Sequence, residues 1–289
     1  MGLQINTNIA AMNAYRNLSS TQGSMATSLE RLSSGLRINR AADDAAGLAI
    51  SEKLRSQSNG LNQATANAQD AISLIQTAEG GLNETHSILQ RMRQLTVQAG
   101  NDTNGVDGRG AIKLELDQLT DELDRIAGTT QFNGTKLLDG GATKTAGLDF
   151  QVGANSGDTM NVKVGGSDST SLLISSGWAF GTPTTPSTKT LLVATSGDVA
   201  TTLTAIDAAI KTVSGSRAQL GAVQNRLQHT VNSLSVAAEN ASAAESRIRD
   251  TDMAKEMTAF TRSQILAQAG VSMLAQANSA PQSVLKLLG

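Results

Sequence analysis

Cysteine is absent from the 289 residues, and aromatic side chains make up only 2% of them. A chain without thiols forms no disulfide and offers no thiolate as nucleophile or metal ligand. It can also be threaded unfolded through a narrow exporter without cross-linking. With so few aromatics, a core drawn from the 39% of apolar residues must be Leu, Ile, Val, Ala and Met, which suits closely packed helices. No run of eighteen apolar residues occurs, so no membrane-spanning helix is expected. The N-terminus lacks a basic region followed by an apolar stretch, so no ordinary secretory signal is expected. A net charge of -2 argues against a nucleic-acid binder, whose phosphate contacts require clustered Lys and Arg.

The residues of catalysis are equally scarce. His86 and His229 are the only imidazoles, far apart and without metal-ligand spacing. His86 reads as an edge residue beside Leu82 and Leu89. No Gly-x-Ser-x-Gly elbow is present. Gly105-Val106-Asp107-Gly108-Arg109-Gly110 follows a helical pattern and lacks a Lys-Ser/Thr pair, so it reads as a turn and not a phosphate cradle. Asp43 and Asp44 are adjacent and do not face each other on a helix. They read as first-turn carboxylates facing the macrodipole, with Arg37 or Arg40 as partners. No catalytic, cofactor-binding or metal site is expected, and no enzyme.

Charge is missing in a second, local way. Between Met1 and Leu29 the only charged side chain is Arg16, and from Ser263 to Gly289 it is Lys286. Both ends nevertheless carry a coiled-coil spacing of alternating fours and threes. At the start it runs through Ala11, Tyr15, Leu18, Gln22, Met25, Leu29, Leu32 and Leu36. At the finish it runs through Met253, Met257, Phe260, Gln264, Ala267, Val271 and Leu274. A helix that faces water usually carries charge there. Uncharged helices with an apolar seam are built to be surrounded by protein, and one chain cannot surround both of its own ends. Tyr15, Leu18, Met25, Leu29, Leu32 and Leu36, with Met253, Met257, Phe260, Val271 and Leu274, are therefore the expected polymerisation contacts between copies.

Between the ends, longer helices are expected. Leu54, Leu61, Ala68, Ile75, Leu82 and Leu89 fall seven apart, accompanied by Ala64, Ala71 and Ala78. One helix from about Asp43 to Ala99 would be roughly 80 Å long, with Gly100 as its C-cap. A third helix carries Ile112, Leu116, Leu119, Leu123 and Ile126 and ends at Gly128. A fourth, from about Val199 to Arg249, has the longest heptad and should pair with the second. Its seam is Leu203, Ile206, Ile210, Val213, Arg217, Leu220, Gln224, Leu227, Val231, Leu234, Ala238, Ala241, Glu245 and Ile248. The helical period disappears from Phe132 to about Thr195. There, 150–152 and 160–164 read as strands joined by a 153–158 loop. A Ser/Thr-rich stretch follows, holding Trp178, Pro183 and Pro186. Ser33-Ser34-Gly35 and Asp250-Thr251-Asp252 interrupt the helical layers and should lie side by side. Gly35, Arg37, Arg40, Asp43, Asp44 and Asp252, the last as an N-cap, form the expected joint or inter-subunit contact. The expected fold is mainly α, a nested coiled-coil or helical-bundle rod built from both termini, with a small β-hairpin region in the middle.

The stretch from Leu32 to Ile50, LSSGLRINRAADDAAGLAI, resembles the N-terminal signature of bacterial flagellin. Ile5-Asn6-Thr7-Asn8 and Thr130-Gln131-Phe132-Asn133-Gly134 are similar to the same family. So are Ile248 through Ala254, Gln268-Ala269, Gln276-Ala277-Asn278 and Leu285 through Gly289. The resemblance covers residues 1–165 and 195–289 and implies a short flagellin with little or no outer domain. It implies an extracellular filament subunit used for motility and passage through the flagellar type III exporter. Residues 1–40 and 251–289 would be the two halves of an inner filament domain. Residues 41–140 and 196–250 would be the helices of a rod-like core domain, and 141–195 the hairpin and outer loop. Implied partners are other copies, an export chaperone at the C-terminal segment, the export apparatus, and junction and cap proteins. Ordering each terminal residue costs on the order of 1–2 kcal/mol, so the ends are expected to become helical only on assembly.

The resemblance also carries over a contact for the vertebrate Toll-like flagellin receptor. Here it falls on Leu89-Gln90-Arg91-Met92-Arg93-Gln94-Leu95, with Glu115 on the next helix. Gln90 lies in that stretch, Arg91 would supply a forked donor, Leu95 an apolar anchor and Glu115 an acceptor. Gln94 stands where the family motif has a Glu. A hook–filament junction protein is the alternative reading of the whole chain. An enzyme insert of the kind some flagellins carry is disfavoured by the short middle, and an adhesive role for the Ser/Thr-rich stretch is compatible with it.

Overall fold

Apolar residues three and four apart build helices wherever that spacing persists. The computed structural model places five long helices among the residues it describes, 8–140, 147–172 and 196–288. They are α1 (Ile9–Ser34), α2 (Ala45–Ala99), α3 (Val106–Thr129), α4 (Ser196–Arg249) and α5 (Met253–Leu288). Two short antiparallel hairpins, β1 (Gln131–Phe132) with β2 (Thr135–Lys136) and β3 (Leu148–Gln151) with β4 (Thr159–Val162), lie between α3 and α4. The fold is thus mainly α with a small β-hairpin region in the middle. Two compact units are present: one from residues up to Ser58 and from Glu239 onward, the other from Asn59 to Ala238.

In the Asn59–Ala238 unit, α2 and α4 run antiparallel. Arg93 meets Asp207 at 2.7 Å and Arg217 lies 4.0 Å from Glu79, while Leu61 and Ala64 pack with Leu234 and Ala238. From Leu61 onward the seven-residue spacing read from α2 is the buried one, through Ala68, Ile75, Leu82 and Leu89 with Ala64, Ala71 and Ala78, whereas Leu54 is only half-buried. On α4, Ile206, Val213, Leu220, Leu227 and Val231 are buried to match. Helix α3 adds Ile112, Leu116 and Leu123 to the same core. Each buried Leu or Ile contributes about 1.5–3 kcal/mol relative to exposure. Among the described residues the core has no aromatic centre; Phe132 and Phe150 pack at its margin.

Helix α3 runs to Thr129 rather than stopping at Gly128, because Thr130 closes it with its N–H on the Ile126 carbonyl at 2.9 Å. Helix α4 starts at Ser196, three residues before the expected Val199. The expected hairpin is present, with Phe150 opposite Met160, and Val162 and Val164 turned into the core. The β1–β2 hairpin was not expected. Its turn is Asn133-Gly134 with φ of 48° and 77°. Positive φ at both central residues makes the tight turn whose twist suits antiparallel strands, and Asn-Gly is its strongest short signal. The Ser/Thr-rich stretch 173–195, with Trp178, Pro183 and Pro186, lies outside the described residues.

Candidate functional site

The unit built from the two ends pairs α1 with α5, antiparallel. The Asn8 side-chain amide donates to the Ala277 carbonyl at 2.7 Å, Arg31 lies 3.8 Å from Glu256, and Gly270 faces Leu18 so closely that a Cβ would stand 3.2 Å from it. The covered line on α1 is Ala11, Ala14, Leu18, Thr21, Met25, Ser28 and Leu32. Its counterpart on α5 is Glu256, Phe260, Ser263, Ala267, Gly270, Leu274 and Ala277. Leu18, Met25, Leu32, Phe260 and Leu274 therefore occupy the seam, as the spacing predicts.

Every second seam position differs from the expectation by one residue. Tyr15, Gln22 and Leu29 stand outside, with Ala14, Thr21 and Ser28 in their place; Met257, Gln264 and Val271 give way to Glu256, Ser263 and Gly270. Met253 is exposed as well. Small residues at alternate positions let two helices approach closely, and a bulky one there would hold them apart. Leu36 is not on α1 at all. The helix ends at Ser34, and Gly35 turns the chain with φ 73°, a conformation in which a Cβ is crowded by its own backbone.

The displaced residues form the exposed faces. Met12, Tyr15 and Leu29 on α1, and Met253, Met257, Ile265, Leu266, Val271 and Met273 on α5, are open to solvent. A groove of about 510 Å³ on α5 is lined by Met257, Thr258, Thr261, Arg262, Ile265 and Leu266. Another of about 410 Å³ lies between the helices, with Met12, Tyr15 and Leu274 among its walls. One exposed Leu is ordinary, whereas a run of them on an almost uncharged helix marks an interaction surface.

The two interruptions do meet. Leu36 and Asp250 form an antiparallel bridge, the Arg37 N–H donates to the Arg249 carbonyl at 2.6 Å, and the Thr251 N–H donates to the Gly35 carbonyl at 3.0 Å. The Arg37 guanidinium donates to the Ile248 carbonyl. The Arg40 guanidinium turns to Glu30 at 2.8 Å, so neither guanidinium is hydrogen-bonded to the Asp pair. Asp43 instead accepts the N–H groups of Asn39 and Arg40 at 3.1 and 2.9 Å, and Asp44 caps α2 through the Gly47 N–H at 2.9 Å. Asp252 caps α5 through the Lys255 N–H at 3.1 Å. Ile38 is buried beneath this turn. The contacts through Arg249 and Glu52, 2.7 Å apart, tie it to the first turns of α2 and were not legible from spacing.

The Arg40 and Asn39 amides hold the Asp43 carboxyl below its ordinary value of 3.8, helped by Arg31 and Arg40. A carboxylate lowered in this way stabilises the fold above that ordinary value and ceases to do so as pH falls through the lower folded one. Asp43→Asn should therefore melt below the unsubstituted chain at pH 6, and the gap should narrow as pH falls below 3.8 through the lowered folded value. Thermal melts across that range check this.

On α2, Gln90 and Arg91 are exposed, as is Glu115 on α3. The Arg91 Nε and Nη2 donate to one Glu115 oxygen at 2.9 and 2.7 Å. Leu95 is a correction: it is buried in the core with Met92, so it supports the helix and presents no apolar anchor.

Comparison with known proteins follows the same helices. A family model of the bacterial flagellin N-terminal helical region matches residues 5–143, and one of the C-terminal helical region matches residues 203–288. The chain is similar to a flagellin of Halalkalibacterium halodurans, 51% identical with 98% of this chain and 99% of that one covered. It is similar to a flagellin of Bacillus subtilis, 49% identical with 99% and 100% covered. It is also similar to a flagellar filament 33 kDa core protein of Treponema phagedenis, 47% identical with 98% and 99% covered.

Proposed function

This chain belongs to the bacterial flagellin family, and on that premise we propose that the uncovered faces of α1 and α5 are the surfaces through which its copies join. It is a structural subunit of the flagellar filament, extracellular and serving motility, and not an enzyme. The observation that carries the surface assignment is the set of large apolar side chains left exposed on two helices whose stretches up to Leu29 and from Ser263 carry one charged residue each. Relatives of almost equal length named flagellin and filament core protein support a filament subunit, and nothing favours a junction role.

Residues 1–40 and 251–289 then form the inner domain, 41–140 and 196–250 the helices of the core domain, and 141–195 the β-hairpin and Ser/Thr-rich outer loop. The seam residues Leu18, Met25, Leu32, Phe260 and Leu274 join the two ends to each other. Tyr15, Leu29, Met253, Met257 and Val271 face neighbouring copies. The joint of Gly35, Leu36, Arg37, Arg40, Asp43, Asp44 and Asp252 fixes where one domain gives way to the other. Because the α1–α5 seam is made largely of small residues, it buries little apolar area against the entropy of ordering both helices. The ends therefore become fully helical on assembly, and before it they remain available to an export chaperone at the C-terminal segment and to the export apparatus. Junction and cap proteins meet the same faces at the two ends of the filament.

Removal of residues 263–289 should leave a soluble chain that forms no filaments when seeded, read by electron microscopy and sedimentation. Circular dichroism of the full chain should gain helix signal on polymerisation. Robust filaments from the truncated chain would sink the surface assignment, and an unchanged spectrum would sink the coupled folding.

A contact with the vertebrate Toll-like flagellin receptor rests on Gln90, Arg91 and Glu115, with Leu95 only as internal support. Arg91→Ala should lower signalling in receptor-bearing cells about tenfold, a loss of one charge-assisted contact. Undiminished signalling by that monomer rejects the site.

A further inference from the structure

The eight methionines are distributed unevenly over the chain. Met92 and Met160 are buried in the Asn59–Ala238 unit, and Met25 is half-buried in the α1–α5 seam. Met12, Met253, Met257 and Met273 are 47–65% exposed. All four lie on α1 or α5, so among the described residues every exposed methionine falls on the faces assigned to assembly. Met257 lines the α5 groove and Met12 the groove between the helices. No cysteine is present to intercept an oxidant first.

We propose that Met12, Met253, Met257 and Met273 are oxidative modification sites, and that a peroxide converting them to sulfoxides withholds the chain from the filament. The inference rests on the filament reading. In the step, a thioether sulfur lone pair attacks one peroxide oxygen and the O–O bond breaks. Sulfur gains that oxygen and loses two electrons, and the other oxygen leaves as water after taking the proton. A thiol-dependent sulfoxide reductase reverses it, releasing water as two thiols become a disulfide. The product is a strong hydrogen-bond acceptor where an apolar, adaptable side chain stood. In the α5 groove the Thr258 and Thr261 hydroxyls already donate to the Lys255 and Met257 carbonyls. Of the other groove side chains only Arg262 carries donors, so a sulfoxide closed there against an apolar neighbour sheds water at a net cost, and docking weakens.

The test treats the full chain with hydrogen peroxide before seeding, maps oxygen addition by peptide mass spectrometry and measures the critical concentration for growth. The four named residues should oxidise well ahead of Met25, Met92 and Met160. The critical concentration should rise at least about tenfold, the size of one lost polar contact per docked subunit, and reductase treatment should restore it. In preformed filaments the same four should be protected. A Met12→Leu, Met253→Leu, Met257→Leu, Met273→Leu chain should assemble and ignore peroxide. If that variant does not assemble, reductase recovery of the unsubstituted chain decides. Growth of the fully oxidised chain at an unchanged critical concentration overturns the proposal, as does equal oxidation in filament and free chain. Failure of untreated chain to form filaments is a separate result and defeats the filament reading itself.

Discussion

Met257→Glu combined with Leu266→Glu should abolish filament growth while leaving the melting and helix content of the free chain nearly unchanged. Both side chains are exposed walls of the α5 groove. Exposed positions without a structural role tolerate substitution within about 0.5 kcal/mol. Closing a neighbouring copy over two carboxylates with the single Arg262 guanidinium beside them is a different matter, since they must shed their water or take up a proton. A loss of about 4 kcal/mol per docking raises the critical concentration roughly a thousandfold. The measurement is sedimentation of seeded protein across concentration, beside thermal melts of the unseeded chain. Growth at the original concentration would remove this groove from the interface. A Met257→Leu control should assemble, because the face needs apolar area and not a particular shape.

Leu89→Ala should do the reverse, weakening the free chain while its assembly faces stay intact. Leu89 has no exposed surface and lies in the core shared by α2, α3 and α4. Truncation to Ala removes buried methyl groups and leaves a cavity that a core of interlocked aliphatic side chains refills poorly. The expected cost is about 2–5 kcal/mol. For a unit of this size that lowers the melting temperature on the order of 10 °C. Leu220→Ala on α4, buried equally, should behave alike. The paired experiments separate two uses of apolar side chains in one molecule, one to hold the fold and the other to join copies.

Much of this was readable from the order of residues. The seven-residue spacing of Leu61, Ala68, Ile75, Leu82 and Leu89 identified the buried face of α2, because a long helix can bury only one stripe and that stripe keeps a fixed period. The α1–α5 seam was legible only in alternate positions. Size misled there: Tyr15, Leu29, Met257 and Val271 are the bulky members of each heptad, yet Ala14, Ser28, Glu256 and Gly270 are the residues covered. Apolar side chains placed for a partner look identical, in sequence, to those placed for the chain's own core. Leu95 shows the same ambiguity in reverse, a residue taken for a surface anchor that the fold keeps inside. The Asn133-Gly134 turn carries a hairpin signal that its two-residue strands are too short to echo as a period. The two interruptions meet through Leu36 and Asp250, but partners such as Glu52 for Arg249 are set by how two distant segments approach and carry no spacing of their own.

The amide of Asn8 and the carbonyl of Ala277 are bonded across a separation of 269 residues. On the ribosome α1 emerges before its mate, with α2, α3 and α4 made between them over on the order of tens of seconds of elongation. For nearly the whole of synthesis the leading helix has no sibling strand to lie against. A molecule wired in this order cannot pair these helices prematurely, and its birth sequence alone delays their meeting until α5 has followed.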